Sequence, residues 1–314
     1  MRKIFGIGET VLDIIFKDGQ PVTAKAGGSV LNSMVSLGRI GLPASFISEY
    51  GRDDVGKLID NFLTGNGVNT SSVYRFEKES SSIALAFLNE KNDAHYSFYK
   101  DFPPKRLDIS FPALQPDDIL QFGSFYAISP AIREKIKSFV QNSHNNGALI
   151  IYDPNFRKPH LSELDCLKPL IIENMRMSDI IRGSDEDFMN IFGANDADEA
   201  WEAVGNHCKC LIYTASSDGA YVKTDSFSGK FPVKQISPVS SIGAGDNFNA
   251  GLITSIYQKK FDKTQLPTAG RDEWESIINV AVEFATHVCM SYDNYISVEF
   301  AAEIKKRLRP VNIY

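Results

Sequence analysis

The chain has 314 residues, of which 43% are hydrophobic, and it carries a formal net charge of −6. The apolar content is sufficient for a large core. An acidic chain without a basic block argues against nucleic-acid binding and against attachment to a membrane surface. The N-terminus lacks the apolar run of a signal peptide, and no segment reaches the roughly 18 apolar residues of a membrane helix, so we expect a cytoplasmic protein.

The four cysteines are widely spaced, which argues against a disulfide scaffold in a chain of this length. Cys208-Lys209-Cys210, next to His207, could begin a metal site, but no second pair of Cys or His follows at ligand spacing. We therefore interpret this segment as the edge of a buried strand.

The first part of the chain alternates short apolar runs with amphipathic segments. A strand predicted over Lys3 to Glu9 precedes a hairpin in residues 11–24, because a Lys-Asp-Gly-Gln turn separates two apolar runs there. Gly27-Gly28-Ser29 then opens a helix whose apolar residues recur at helical spacing as far as Ile40. A further strand and helix are predicted before residue 68.

Residues 72–99 have strand-like patterns without helices, in runs that begin at Val73, Ile83 and His95. We expect these runs to join the hairpin in a small separate sheet. Such a sheet has no helices to cover it and would close over a substrate or a partner subunit. The predicted organisation is one domain over residues 1–314, with a lid formed by about 11–25 and 72–102.

From residue 117 onward, strands and helices alternate to the C-terminus. This alternation predicts an α/β fold with a doubly wound, mostly parallel sheet flanked by helices, in addition to the small β-sheet lid. Ligands of such sheets bind at the carboxyl ends of the strands. The polar segments that begin at Asp13, Asp153 and Thr214 each follow a predicted strand or apolar run, so they are candidate site segments.

A run of small residues, Gly243-Ala244-Gly245, leads into a predicted apolar helix; we call this run the phosphate turn. Its backbone N–H groups can approach an anion at the positive end of the helix. Asp246 would lie in the first helical turn, where a general base for an attacking hydroxyl is needed if a phosphoryl group binds there. Taken alone, the pattern also fits an ordinary helix start with a favourably placed aspartate.

Two motifs lie far apart in the chain. One is Gly27-Gly28-Ser29-Val30-Leu31-Asn32, continued by Gly51-Arg52-Asp53-Asp54. The other is Gly243-Ala244-Gly245-Asp246 with Phe248, Ala250 and Gly251 behind it. Together they resemble the ribokinase-like (phosphofructokinase-B) carbohydrate kinases, and the resemblance extends over nearly the whole chain. Each motif alone is moderately specific, but their order and wide separation argue against coincidence.

The resemblance implies ATP- and Mg²⁺-dependent phosphorylation of a sugar hydroxyl. Asp246 would be the base, and Gly243, Ala244 and Gly245 would form the anion hole. The sugar-binding residues that it implies are Asp13, Gly27, Gly28, Asn32, Phe98 and Arg157. A carboxylate and an amide can bind neighbouring hydroxyls, and glycine lets the sugar approach. In isolation these residues could equally be a turn aspartate, a helix-opening glycine pair and a surface arginine.

Two further segments bear on the sugar. Asp153-Pro154-Asn155-Phe156-Arg157 resembles the Asp-x-Asn-x-Arg segment of fructokinases and 2-keto-3-deoxygluconate kinases, and Phe98-Tyr99-Lys100 resembles their Phe-Tyr-Arg lid segment. These similarities favour fructose or a related keto sugar.

The nucleotide side departs from the family pattern at three serines. Ser184 stands for Asn, Ser216 for Gly in the nucleotide loop, and Ser240 for an Asp that often helps to organise a monovalent cation. A serine at position 216 is acceptable if its φ stays negative. The nucleotide-binding residues implied by the resemblance are Ser184, Thr214, Ser216, Gly219, Gly245 and Asn279. Asp187 is a candidate for the metal, and the monovalent cation site is in doubt.

Three functions remain open from the sequence. The first is a ketose kinase, the second a kinase of another small alcohol such as ribose or a nucleoside, and the third a ligand-binding regulator on the same fold that makes little use of ATP. Exposed aromatic residues in the lid, including Phe16, Phe87, Tyr96 and Phe98, also suggest a homodimer formed through the lid. Packing of the lid against its own domain is the alternative.

Overall fold

The computed structural model describes residues 2–89 and 94–308. The strands within these ranges are β1 Ile4–Ile7, β2 Val11–Lys17, β3 Gln20–Gly27, β4 Ala44–Gly51, β5 Val73–Phe76, β6 Ile83–Leu88, β7 Ala94–Tyr99, β8 Ile119–Gly123, β9 Leu149–Asp153, β10 Ile180–Ser184, β11 Cys210–Ala215, β12 Gly219–Thr224 and β13 Ser228–Phe231. The α-helices are α1 Ser29–Arg39, α2 Asp54–Gly65, α3 Arg133–Asn145, α4 Leu164–Arg176, α5 Asp185–Phe192, α6 Ala197–Val204, α7 Ala244–Lys259, α8 Arg271–Cys289 and α9 Val298–Leu308.

The large sheet has the strand order β13-β12-β11-β10-β9-β8-β1-β4-β5. Its strands run parallel from β5 to β11, and β12 and β13 complete it as an antiparallel edge. Successive side chains of the central strands are buried on opposite faces, as with Leu149 and Ile150. One face packs on α1, α7 and α8, and the other on α3 to α6. The predicted mostly parallel, doubly wound sheet is confirmed.

The small sheet has the order β3-β2-β6-β7. Its first hairpin is formed as predicted, because Asp18 and Gly19 have φ of 51° and 73°, which suits a two-residue turn between right-handed twisted strands. The placement of residues 72–82 in the lid is wrong at β5. Val73–Phe76 pairs in parallel with β4 at the edge of the large sheet, since the helix between them makes a crossover to a neighbouring parallel strand.

The long helix α7 is central to the molecule. Its residues from Asn247 to Ile256 are buried, and it packs against α1 and α8. A β-carbon on Gly251 would lie 2.6 Å from the Ala281 Cα, so glycine is required where α7 and α8 approach closely. Cys208 and Cys210 are buried at the start of β11, as expected for a strand edge. Within the described ranges, we find no helix both long and apolar enough to span a bilayer.

Candidate active site

The phosphate turn begins α7 in a fixed conformation. Gly243 has φ 78°, and a β-carbon on it would lie 2.7 Å from the Asn294 carbonyl oxygen. The Asn247 amide donates to the carbonyl oxygens of Gly243 and Asn294, each at 2.8 Å, and accepts from the Ser36 hydroxyl at 2.6 Å. These bonds hold the turn from behind. The Ala244 N–H donates to the Ser241 carbonyl oxygen at 3.2 Å. The other N–H groups in the first turn of a helix lack partners within the helix, so this turn suits an anion.

Asp246 is held in the first turn of α7 by residues of α1. The Asn32 amide donates a 2.8 Å hydrogen bond to Asp246 Oδ2, and the Ser33 hydroxyl donates at 2.7 Å to the Asp246 carbonyl oxygen. Burial raises the pKa of Asp246 to about 7, and the charge of Asp153 acts in the same direction. The Asn32 hydrogen bond and the charges of Arg157 and Arg182 oppose this rise in pKa. A carboxyl that titrates near neutral pH is well matched to general base catalysis.

Asn32 has one polar atom left over. Its Oδ1 is buried and has no hydrogen-bond partner among the described residues. A buried acceptor of this kind costs free energy unless a ligand or water satisfies it. If Asn32 binds the sugar as predicted, a sugar hydroxyl would be that partner.

The sugar-side glycines are explained by close approaches at the base of the small sheet. A β-carbon on Gly27 would lie 2.3 Å from Asp13 Oδ2, and one on Gly28, whose φ is 139°, would lie 2.3 Å from the Glu9 carbonyl oxygen. Burial raises the pKa of Asp13 to about 7, with a further contribution from the charge of Glu9. The structure therefore brings Asp13 and the glycine pair together, as the sequence predicted.

Phe98 and Arg157 lie at the rim of this region. Phe98 on β7 is 59% exposed and stacks on Tyr96 at 5.8 Å between ring centroids. Burial and the charge of Asp13 raise the pKa of Tyr96, whereas the charge of Arg157 lowers it. Arg157 thus acts electrostatically on both Tyr96 and Asp246, which places it between the small sheet and the phosphate turn.

A buried ion pair lies behind the phosphate turn. Arg182 Nη1 donates to Asp153 Oδ2 at 2.9 Å, and Arg182 Nη2 donates to Thr214 Oγ1 at 2.7 Å. The Asn249 amide also donates to Asp153 Oδ2, at 2.7 Å. Sequence analysis did not select Arg182 or Asn249. Arg182 is a lone charge in an apolar strand, and that unusual position was the one available signal.

The predicted nucleotide loop has a different backbone from the one expected. Ser216 has φ 43°, so the condition that its φ stay negative is not met, and the serine adopts a left-handed conformation that glycine adopts without strain. Gly219 has φ 121°, and a β-carbon there would lie 2.6 Å from the Phe231 carbonyl oxygen. The Gln235 amide donates to the Ser217 carbonyl oxygen at 2.9 Å and ties this loop to the segment that carries Lys234.

Asn279 lies apart from the loop, on α8. It lines a cavity of about 380 Å³ together with Lys234, Val282, Glu283, Thr286, His287 and Phe300. His287 is packed in place, since its ring stacks on Phe300 at 4.1 Å and its Nε2 accepts from the Ser297 N–H at 3.1 Å. The cavity has the mixed apolar and polar lining that suits a planar heterocycle.

A sequence profile describing the pfkB family carbohydrate kinases matches residues 1–298. The chain belongs to this family. Probable fructokinase-5 of Arabidopsis thaliana is 26% identical over 236 residues, 73% of each chain. Aminoimidazole riboside kinase from Salmonella enterica superposes with a TM-score of 0.81 at 19% identity, over 98% of this chain and 100% of that one. A fructokinase double mutant from Vibrio cholerae O395, in fructose, ADP and potassium ion bound form, gives 0.78 at 20% identity over 95% of each chain. The predicted family and fold are confirmed.

Two polar residues of this kinase that were predicted to bind nucleotide or metal are engaged in helix capping. Ser184 caps α5 and forms a reciprocal capping box with Asp187. The Asp187 carboxylate also accepts from the Phe156 N–H at 2.6 Å, so both of its oxygens have partners. Burial raises the pKa of Asp187. In the part of the chain that the structure describes, no cluster of three or more His, Cys, Asp or Glu could hold a metal.

Proposed function

We propose that this kinase transfers the terminal phosphoryl group of ATP to a hydroxyl of fructose or a related keto sugar. The observation that carries the proposal is the placement of Asp246: it lies directly after an anion-binding turn, it is held by Asn32, and its pKa is near 7. This is the arrangement that transfer to an alcohol needs, because the base must lie beside the phosphoryl group.

In the proposed mechanism, the acting residues lie between the small sheet and the start of α7. Asp13 and Asn32 Oδ1 accept hydrogen bonds from sugar hydroxyls and orient the substrate. Asp246 removes the proton of the attacking hydroxyl. The N–H groups of the phosphate turn then stabilise the negative charge on the transferring phosphoryl group. Gly27 and Gly28 leave the space in which the sugar lies.

The nucleotide would lie across the loop of Thr214, Ser216 and Gly219, with its base in the cavity beside Asn279. We infer that Mg²⁺ arrives with the ATP, since this ion is commonly held by one or two carboxylates, substrate phosphates and waters. When bound, it would neutralise phosphate charge. The partners of Asp187 leave it poorly suited as a ligand. The Ser240 hydroxyl accepts from the Ile242 N–H at 3.2 Å. Assay with and without potassium tests whether a monovalent cation acts at this turn.

The choice of a keto sugar rests on two supports. One is the segment from Asp153 to Arg157, and the other is the series of fructokinases among the relatives, such as the Arabidopsis protein described above. Ribose and nucleosides are the competing substrates, as the aminoimidazole riboside kinase illustrates.

We also propose that the small sheet acts as a lid and mediates a homodimer in the cytoplasm. Its exposed large side chains are Val22, Phe87, Tyr96, Phe98 and Tyr99, with exposed fractions between 39% and 59%. Val22 lies on β3 at one edge of the small sheet, and Tyr96, Phe98 and Tyr99 lie on β7 at the other edge. Exposed apolar side chains on a small sheet favour a second subunit. Sedimentation of the wild type and a Val22→Lys variant tests this: a dimer that becomes a monomer supports it, and a wild-type monomer contradicts it.

The function itself is tested by ADP release with Mg-ATP and a panel of fructose, tagatose, 2-keto-3-deoxygluconate, ribose and inosine. Turnover on a keto sugar supports the proposal. Turnover confined to ribose or inosine replaces it with the other kinase. Calorimetry that detects sugar binding without ATP binding would favour the regulator instead.

A further inference from the structure

Arg182 is almost completely buried, at 7% exposure, yet its guanidinium lies against the start of α7. A β-carbon on Gly245 would lie 2.6 Å from Arg182 Nη1, and the Phe248 ring centroid is 5.3 Å from its Cζ. The guanidinium therefore packs directly against the backbone of the phosphate turn. Gly245 is required in this motif partly because the arginine occupies the space that a side chain would need.

The arginine is held rigidly from the opposite side. Asp153 at the end of β9 and Thr214 near the end of β11 each bind one of its terminal nitrogens. Both strands are neighbours of β10, which carries Arg182. Three adjacent strands thus fix the orientation of one planar cation, as a guanidinium with several donors permits.

Burying this ion pair costs free energy, so its presence in the fold needs an explanation. A buried ion pair usually gives little net stability compared with apolar packing. In addition, Arg182 Nε has no hydrogen-bond partner among the described residues, although it is buried. The side chain is better explained by what it does to its neighbours than by its contribution to folding.

The geometry points to Arg182 as a positioning residue of the proposed kinase reaction: it braces the first turn of α7 and keeps a fixed positive charge beside Asp246. This inference rests on the proposed function. The charged groups that act on Asp246 are Asp153 on β9, Arg157 in the loop after β9, and Arg182 on β10. Without Arg182, Arg157 would be the one remaining positive charge of this group to oppose the effect of Asp153 on Asp246.

The first test measures the protonation of Asp246 and needs no turnover. Aspartate labelled with ¹³C at Cγ is titrated by NMR, with the Asp246 signal assigned from an Asp246→Asn variant. Arg182→Gln should raise the pKa of Asp246, though by less than the loss of the Asn32 hydrogen bond would, because the Arg182 charge is the smaller of these two effects that lower it. Arg133→Met is the matched control, because Arg133 is also buried and paired, with Glu173, but belongs to α3 on the other face of the sheet.

The second test measures turnover on the substrate found in the panel. Arg182→Lys keeps the charge and the better chance of folding, but its single nitrogen lacks the planar fork with which Arg182 binds Asp153 and Thr214 through two separate nitrogens. Its Asp246 should titrate as in the wild type, while kcat falls roughly tenfold or more with a nearly unchanged KM for the sugar. Arg182→Gln should lose at least as much kcat and move the acid limb of the pH profile upward.

These two tests distinguish the role of Arg182 from the proposed kinase function. An unshifted Asp246 in Arg182→Gln, an equal shift in Arg133→Met, or wild-type kcat in Arg182→Lys would overturn the role of Arg182. If Arg182→Gln does not fold, the kcat of the lysine variant decides. A wild type that turns over no substrate contradicts the proposed function instead, and the NMR titration still decides whether Arg182 controls Asp246.

Discussion

Asn32 on α1 and Asp246 on α7 meet through a 2.8 Å hydrogen bond, although 213 residues lie between them in the chain. One helix follows the glycine pair beneath the small sheet, and the other follows the phosphate turn. Their contact places the candidate sugar-binding amide and the candidate base side by side. The two halves of the site therefore meet where the reacting hydroxyl of the sugar would lie.

Removing the Asn32 amide should impair both substrate binding and the base. Asn32→Ala loses the acceptor Oδ1 and the hydrogen bond that opposes the rise in the pKa of Asp246. We expect a higher KM for the sugar, a lower kcat, and an acid limb displaced to higher pH. Ser33→Ala is the control, since it loses bonds to the Asp246 carbonyl oxygen, Gln121 and the Ser29 carbonyl oxygen but none to the Asp246 carboxylate, and it should leave the acid limb in place. Identical pH profiles for Asn32→Ala and wild type would refute this account.

The stability of the free protein should fall as the pH rises through neutrality. Burial raises the pKa of Asp13 and of Asp246 to about 7 in the folded protein, from 3.8 for an ordinary aspartate. Between these values the folded state holds more protons than the unfolded state, so each of these groups lowers the free energy of unfolding as pH increases. At pH 8 the neutral Asp246→Asn variant should be more stable than the wild type by roughly 2 to 4 kcal/mol.

Denaturant unfolding at pH 5 and pH 8 checks this expectation. Asp225→Asn is the matched control, because it makes the same exchange of a carboxylate for an amide at an exposed position. If the stability difference between the wild type and Asp246→Asn is the same at both pH values, then folding does not raise the pKa of the Asp246 carboxyl.

The left-handed serine in the nucleotide loop should be improved by glycine. Ser216→Gly removes a strained φ of 43°, and the gain outweighs the entropic cost of glycine, so we expect stabilisation of roughly 0.5 kcal/mol. Ser217→Gly, at a neighbour outside the left-handed region, should be neutral or destabilising. Thermal melts of the two variants provide the comparison, and a destabilised Ser216→Gly would show that the serine side chain is needed.

Much of this fold follows from local patterns. The turn at Asp18 and Gly19 and the helix after Gly28 were predicted because glycine placement and residue spacing determine them directly. The partner of β5 was not predictable in the same way. Its apolar run fits either sheet, and the connection through α2 decides between them.

The site shows the same difference between features set by local sequence and features set by long-range contacts. Asp246 and the phosphate turn form a contiguous motif, so sequence alone identified them. Arg182 acts through contacts with Asp153, Thr214 and Gly245, and none of these is near it in the chain. The Ser-x-x-Asp pattern from Ser184 to Asp187 is typical of a capping box, and this pattern indicates that Asp187 lies at the start of a helix.

The most direct test of the central claim compares phosphoryl transfer by the wild type and by Asp246→Asn, with Mg-ATP and the accepted sugar at saturation. We predict a folded variant that binds both substrates and turns over about 10² to 10⁴ times more slowly, as expected for a lost general base. Turnover within a few-fold of the wild type would contradict the account, because Asp246 could then not be the group that accepts the hydroxyl proton.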